Sequence, residues 1–419
     1  MLIKPRFLVY LVRSNAVGKL KDGRGLCTSA LKIARPSSTR LFHNAGLHCG
    51  ICKCSIFPNH EQHESVDTDM PNYGQPMEAW YYDVNKDGCL RLRSGMNVHV
   101  QPLNPQKHPQ MNKLFINIMY MGKDRLSSSE LVALTKSYIV NVDLDDTNKE
   151  MEISIKEKAR IDVQALVHVQ VPIKYNIEVS CSKNGEVSLA QLEAEKLKVR
   201  THQGNIIFKS IKSINVDVST NSGNVHSQSL LQGNAKIVCR GNGGINAGRI
   251  QGQTVHCESQ HGDIKVKAIY ADSSQFSSDN GNIHLGSCHG NTKVNLSNGN
   301  LFIDSLDGNL KGHVEDGHTQ LALSREGSVQ LNTENGDISL RVPESLNSSV
   351  DLTASEIDQG EVTLYNSELS TEGALNELKG NLSKNKEEST IEASTKNGKI
   401  QLLHYDWFSS LNIGKDSAT

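Results

Sequence analysis

Residues 261–288 read HGDIKVKAIYADSSQFSSDNGNIHLGSC. After Gly262, Ile264 and Val266 alternate with Asp263 and Lys265, the period of two that marks a strand with one buried face. At Asn280-Gly281 the same pattern opens again. Working outward, it recurs as NGEVSL at Asn184, QGNIIF at Gln203, SGNVHS at Ser222 and NGGINA at Asn242, then NGNLFI at Asn298, DGHTQL at Asp316 and NGDISL at Asn335. The glycines stand at 185, 204, 223, 243, 262, 281, 299, 317 and 336, spaced 18 to 20 apart. A second series of small residues interleaves: Ala194, Ser213, Gly233, Gly252, Ala271, Gly290, Gly308 and Gly327. Steps between the two series are 9 or 10 residues throughout.

Two residues past each first-series glycine the column is Val187, Ile206, Val225, Ile245, Ile264, Ile283, Leu301, Thr319 and Ile338. One residue further it is Ser188, Ile207, His226, Asn246, Lys265, His284, Phe302, Gln320 and Ser339. An aliphatic column beside a mostly polar one places the first inward. The fold class that follows is all-β: a parallel β-solenoid of 18–20-residue coils with two main strands per coil. Eight such coils would extend roughly 40 Å at about 4.8 Å per strand. A single coil cannot bury its apolar column alone, so stability must come from stacking. Asn-Gly and Asp-Gly supply positive-φ turn positions, and Asn184, Asn280, Asn298 and Asn335 predict a partial amide ladder. Six-residue acyltransferase helices fail on the period. Calcium-binding nonapeptide rolls fail because Gly241-Asn-Gly-Gly-Ile-Asn lacks the required aspartate.

The flanks are less regular. Residues 75–178 hold strand-like runs and read as a β-rich entry and capping section, residues 179–342 as the regular solenoid, and 343–405 as irregular C-terminal coils and a cap. Past Pro343 the beat fades, and it resumes at Gly380 and Gly398, 18 apart, which predicts a last coil closing the stack. Lys384–Glu388 reads as an exposed charged loop.

Residues 1–55 differ in kind. Up to Gly50 there are nine basic residues and one acid, Asp22, so the leader carries +8 of a total net charge of −2 and the remainder carries −10. Arg-rich, Ser-containing and acid-poor is the composition of a mitochondrial transit peptide, and the matrix is the expected destination. The apolar run Phe7–Val12 has six residues, too short for a secretory core or for a membrane span, which needs about 20. Nine cysteines, an odd number without a paired framework, fit a reducing compartment. His48-Cys49-Gly-Ile-Cys52-Lys-Cys54, with His60 and His63 beyond, offers half a zinc site. Four ligands are normally needed, so these cysteines read as incidental to a flexible segment.

The Gly-[Asn/Asp]-[Ile/Val]-x-[Val/Leu] coils resemble the bacterial putative-adhesin β-solenoid domain family over roughly residues 167–402. A basic leader joined to such a domain also resembles a vertebrate family grouped by sequence similarity alone. The resemblance implies a solenoid without established enzyme chemistry, and it carries over no catalytic residues.

The residues themselves supply little chemistry. Gly286-Ser-Cys288-His-Gly290 mimics a nucleophile elbow, but Cys288 falls in the column of Leu230, Ile250, Ile269 and Leu306 and reads as a small buried hydrophobe. Asp143, Asp145 and Asp146 could gather a cation and read instead as a solvated turn. His226 and His284 share the outward column three coils apart, too far for one metal. Asp263 is flanked one coil away by Gly244 and Asn282, so it has no carboxylate pair for acid/base work. No residue is assigned to catalysis, a cofactor or a metal. A body at −10 without a basic aromatic stripe argues against nucleic acid. The reading is a non-enzymatic binding or scaffold module with a protein partner, Ile207 and Phe302 being candidate contacts on the outward column. The alternative is a carbohydrate-acting parallel β-helix enzyme.

Overall fold

The computed structural model describes residues 38–40, 74–158, 164–325, 327–384 and 389–405, in two compact units that divide between Val199 and Arg200. Of the leader, only Ser38–Arg40 is described, a three-residue strand whose backbone pairs antiparallel with Trp80–Tyr82. The Cys49, Cys52, Cys54, His60 and His63 cluster lies outside the described residues.

In the first unit the coil geometry is present but the rungs are out of chain order. Cys89–Ser94 and Asn97–Pro102 make one rung. On one edge they pair parallel with Glu150–Glu157 and Ala165–Val171. On the other edge they pair parallel with Asn176–Cys181 and Val187–Ala190. The earliest rung is thus held between two later ones. Antiparallel strands then close the free edge: Tyr138–Leu144 lies on Glu150–Glu157, Lys113–Tyr120 on Ala165–Val171, and Gln75–Asp83 on Lys113–Tyr120. Turning the outer strands antiparallel ends the parallel stack that would otherwise offer its edge to another chain. The described residues hold one helix, Ser128–Thr135, started by a capping box in which the Ser127 hydroxyl and the Glu130 carboxylate each take the other's backbone amide.

The second unit contains the regular stack. Ile206–Lys209 and Ile211–Thr220 pair with Val225–Cys239, and Ile245–Ser259, Ile264–Asn280, Ile283–Asn298 and Leu301–Asp316 follow in parallel. Both runs expected in each coil are there, and in these middle coils pairing continues around the corner between them, so each coil is one bent strand of 15 to 17 residues. The predicted inward column is buried at every position, Val187 and Ile206 to Ile338.

The recurring glycines have a steric cause. A Cβ on Gly243 would overlap the carbonyl oxygen of Gly223 one coil below, and the same holds along Gly262, Gly281, Gly299, Gly317 and Gly336. Gly317 also has φ +153°, whereas Gly243 and Gly262 need only the close approach and not the positive φ expected of them.

Three other expectations are corrected. First, the coil marked by Gly398 does not end the stack. Ser389–Asn397 and Lys399–His404 slot between Val329–Asn335 with Ile338–Val342 on one side and Ser348–Ala354 with Glu356–Asp358 on the other. Second, Gly380 is not a coil landmark: Leu375–Asn381 runs antiparallel on Ser348–Ala354, and Tyr365–Glu372 antiparallel on it in turn. Both follow from the need to close the last edge, which the chain meets with a hairpin before its final rung returns. Third, Leu231 rather than Leu230 stacks on Ile250; a register shift between Ser227 and Leu230 absorbs the extra residue of that coil, leaving Leu230 opposite Arg249.

Candidate functional site

The outward column exists as read. Ile207, His226, Asn246, Lys265, His284, Phe302, Gln320 and Ser339 stand side by side on successive strands. The structure brings three of the singled-out residues together. Asp263, His284 and Phe302, with Lys265, Asn282 and Asn300, line a shallow groove of about 330 Å³. His226 lies three coils from His284, and Ile207 five coils from Phe302, so neither joins it.

Within the groove the polar groups already have work. The Asp263 carboxylate accepts the backbone amide of Asn282 at 2.7 Å and its side-chain nitrogen at 3.3 Å. The same bond recurs one residue past most of the glycines: Asn205 accepts from Asn224, Asn224 from Gly244, Asn282 from Asn300, and Asn300 from His318. This ladder commits turn side chains to the orphan amide of the next coil. It lies beside the expected ladder, two residues earlier and just before the glycines, where Asn335 donates to Asp316 at 2.6 Å and Asn397 donates to Asn335 at 2.8 Å. Imidazole Nε2 of His284 meets Asp304 Oδ2 at 2.8 Å, and the ring takes the Phe302 ring edge-on at 5.9 Å between centroids. Asp304 went unread in the sequence; its signal is parity, since it is the next outward position after Phe302. A His–Asp pair of this kind orients an imidazole and leaves a half-exposed aromatic edge beside it.

The remaining candidates are structural. Cys288 is fully buried between Ile269 and Leu306, and burial pushes its thiol up to about 12, which suppresses the thiolate that a nucleophile needs. Cys239 and Cys257 are likewise raised to about 12 by burial. Asp145 accepts the backbone amides of Lys149 and Glu150 at 2.7 and 2.9 Å and the Thr147 hydroxyl. Burial would raise its carboxyl, but these bonds outweigh it and hold the group below the usual carboxylate range. It is the acceptor of a tight turn, with Asp146 exposed beside it. Among the described residues no group of three or more His, Cys, Asp or Glu is placed to hold a metal ion.

The model of the family described as Toastrack DUF4097 matches residues 113–240 and 232–403, more than half of the chain. Solved structures with similarity include a putative cell adhesion protein from Clostridium sporogenes, 11% identical over 79% of this chain and 100% of that one, TM-score 0.17. A putative adhesin from Bacteroides fragilis is 12% identical over 78% and 96%, TM-score 0.25. One from Parabacteroides distasonis is 11% identical over 77% and 95%, TM-score 0.33.

Proposed function

The chain belongs to the Toastrack DUF4097 family, and on that premise we propose that it is a non-enzymatic binding or scaffold module whose outward column takes a protein partner. Family membership alone does not supply the activity. The observation that carries the reading is how the groove's polar groups are used. Asp263 is occupied by the coil-to-coil ladder and His284 by Asp304, while Phe302 is left half-exposed as an apolar contact. Half-buried aromatic anchors carry a large share of interface energy. We propose also that residues 1–55 direct the chain to mitochondria; the +8 charge of residues 1–50 supports this. No helix of the described residues is long and apolar enough to cross a membrane.

Partner recovery on three variants tests the binding reading. Phe302→Lys, alone and with Ile207→Lys, is expected to weaken recovery. The combined His226→Asn, His284→Asn and Asp263→Asn variant is expected to leave it largely intact, since an asparagine at a ladder position accepts the same amide, as Asn282 does. A carbohydrate-acting enzyme gives the opposite ranking, because losing an acid/base group costs roughly 10²–10⁴-fold in rate. Circular dichroism on each variant separates lost contact from lost fold.

A further inference from the structure

The second landmark of each coil carries a different surface. Ser213, Gly233, Gly252, Ala271 and Gly290 form the floor of an open groove of about 870 Å³. The three glycines cannot carry a side chain, because a Cβ on Gly233, Gly252 or Gly290 would overlap the carbonyl oxygen of the residue stacked below it. The floor is therefore a trench imposed by backbone packing. One wall comes from the residue before each landmark, Gln232, Gln251, Tyr270 and His289, in register on adjacent strands. The other comes from the residue after it: Ile214, Asn234, Gln253, Asp272 and Asn291.

The walls change character along the stack. Past the groove the side chains are engaged with one another: Asn309 donates to Asn291 at 2.8 Å, and His289 meets Asp307 at 3.1 Å, with Arg325 3.5 Å from the same carboxylate. Inside it, the carboxamides of Gln232, Gln251 and Gln253 have no hydrogen-bond partner among the described residues and face solvent. Each offers two donors and an acceptor. Tyr270 is fixed between the rings and charges of its neighbours, with His289 stacked on it at 4.5 Å and the Arg249 guanidinium 5.6 Å from its centroid. Its faces are taken, so it presents a rigid edge and a phenolic hydroxyl. Ile214, 60% exposed, adds an apolar contact at one end.

The geometry points to this groove as a binding site for a linear, neutral oligosaccharide lying along the stack axis. The lining itself carries little charge. The lining carries only Asp272 and His289 as titratable groups besides the Tyr270 phenol, and His289 is already engaged by Asp307. Unpartnered carboxamides and a phenol match hydroxyl groups, which both donate and accept. The spacing agrees as well: Gln232 and Gln251 stand in register on adjacent strands, about 4.8 Å apart, close to the advance of one pyranose unit in an extended glycan. An extended peptide advances by about 3.3 Å per residue and falls out of step with the walls. This site is separate from the outward column and stands or falls apart from it.

Titration calorimetry of the full chain with linear hexamers of β-1,4-glucose, β-1,4-N-acetylglucosamine, α-1,4-glucose and α-1,4-galacturonate tests it. At least one neutral hexamer is expected to bind and the anionic galacturonate to bind more weakly. Gln251→Ala and Tyr270→Ala should each weaken the neutral hexamer about tenfold or more, equivalent to about 1.4 kcal/mol. Gln232→Ala, at an exposed residue, should weaken it likewise with the least risk to the fold, and an unchanged dichroism spectrum accompanies each. Phe302→Lys should leave binding unchanged. The proposal is overturned if none of the neutral hexamers binds at millimolar concentration, if binding is indifferent to Gln251 and Tyr270, or if extended peptides bind through these residues while the hexamers do not.

Discussion

Ile264→Asp places a carboxylate between the side chains of Ile245 and Ile283, in a buried column. An unpaired buried charge costs several kcal/mol, comparable to the net stability of a whole domain, so the middle coils should unfold. Lys265→Asp, one residue along and exposed, should shift stability by less than about 0.5 kcal/mol. Denaturant melts of the two variants check the assignment of faces, and equal damage would refute it. Glycine offers a second pair. Gly317→Ala combines an unfavourable φ with overlap onto Gly299, while Gly373 has φ +64° and open space within 4 Å of where a Cβ would stand. Gly373→Ala should cost about 1–2 kcal/mol, the left-handed penalty alone, and Gly317→Ala clearly more. Similar losses at both sites would show that close approach of the coils is not what fixes the glycine column.

At the scale of one element, strand Ala165–Val171 is buried at all seven positions. His168 lies opposite His99 and Asn117 on the flanking strands and stacks on the His99 ring at 5.5 Å. Neither ring nitrogen of His168 has a hydrogen-bond partner, nor does the Gln170 side-chain nitrogen two residues on. Burial first, and repulsion from His99 second, lower the His168 pKa from 6.5 to about 4. Between those two values the unfolded chain binds more protons than the folded one, so stability rises with pH across that window. It is complete above about pH 6.5 and is lost as pH falls toward about 4. Hydrogen exchange of Ala165–Val171 should therefore accelerate between pH 7 and pH 5 beyond the intrinsic trend. His168→Phe should flatten that dependence. A variant that keeps the full pH response would assign the effect to another group.

Across the whole chain, each unit ends by the same device. In the first, the earliest rung, Cys89–Pro102, sits between two later ones. In the second, the last rung, Ser389–His404, sits between two earlier ones. A rung paired on both edges cannot fray as a terminal strand does, and antiparallel strands blunt what remains. Removing residues 389–419 should therefore open one edge of Val329–Asn335 and one of Ser348–Ala354, the first staying paired with Leu301–Asp316 and the second with Leu375–Asn381. The expected outcome is reduced exchange protection along the opened edge of both strands and a tendency to aggregate, with Ile245–Ser259 still protected. Protection retained in both would mean that the two strands close on each other without the inserted rung. Targeting is tested at this scale too. The mature amino terminus is expected between Arg35 and Cys54, and full-length chain with Met1 in mitochondria-free cytosol would count against import. Glycans on Asn295, Asn347 or Asn381, each in a sequon, would redirect the localisation to the secretory route.

The repeat was legible without coordinates because its cause is local and periodic. A buried column such as Val225, Ile245 and Ile264, and a glycine forced by backbone contact at Gly243 and Gly262, leave marks every 18 to 20 residues in any chain that stacks this way. The pairing of His284 with Asp304 and the gathering of Gln232, Gln251 and Tyr270 on one wall also follow from period and parity, once the register is known. What only the tertiary structure decided is rung order and closure. Gly398 carries the same sequence mark whether its coil ends the stack or is inserted beside Gly336, because a strand's own residues specify which face is buried and not which neighbour lies at its edge. Edge partners are chosen by long-range backbone hydrogen bonds that all strands offer alike. The buried His168 stayed hidden for the same reason: its solvent exposure is set by strands from distant parts of the chain.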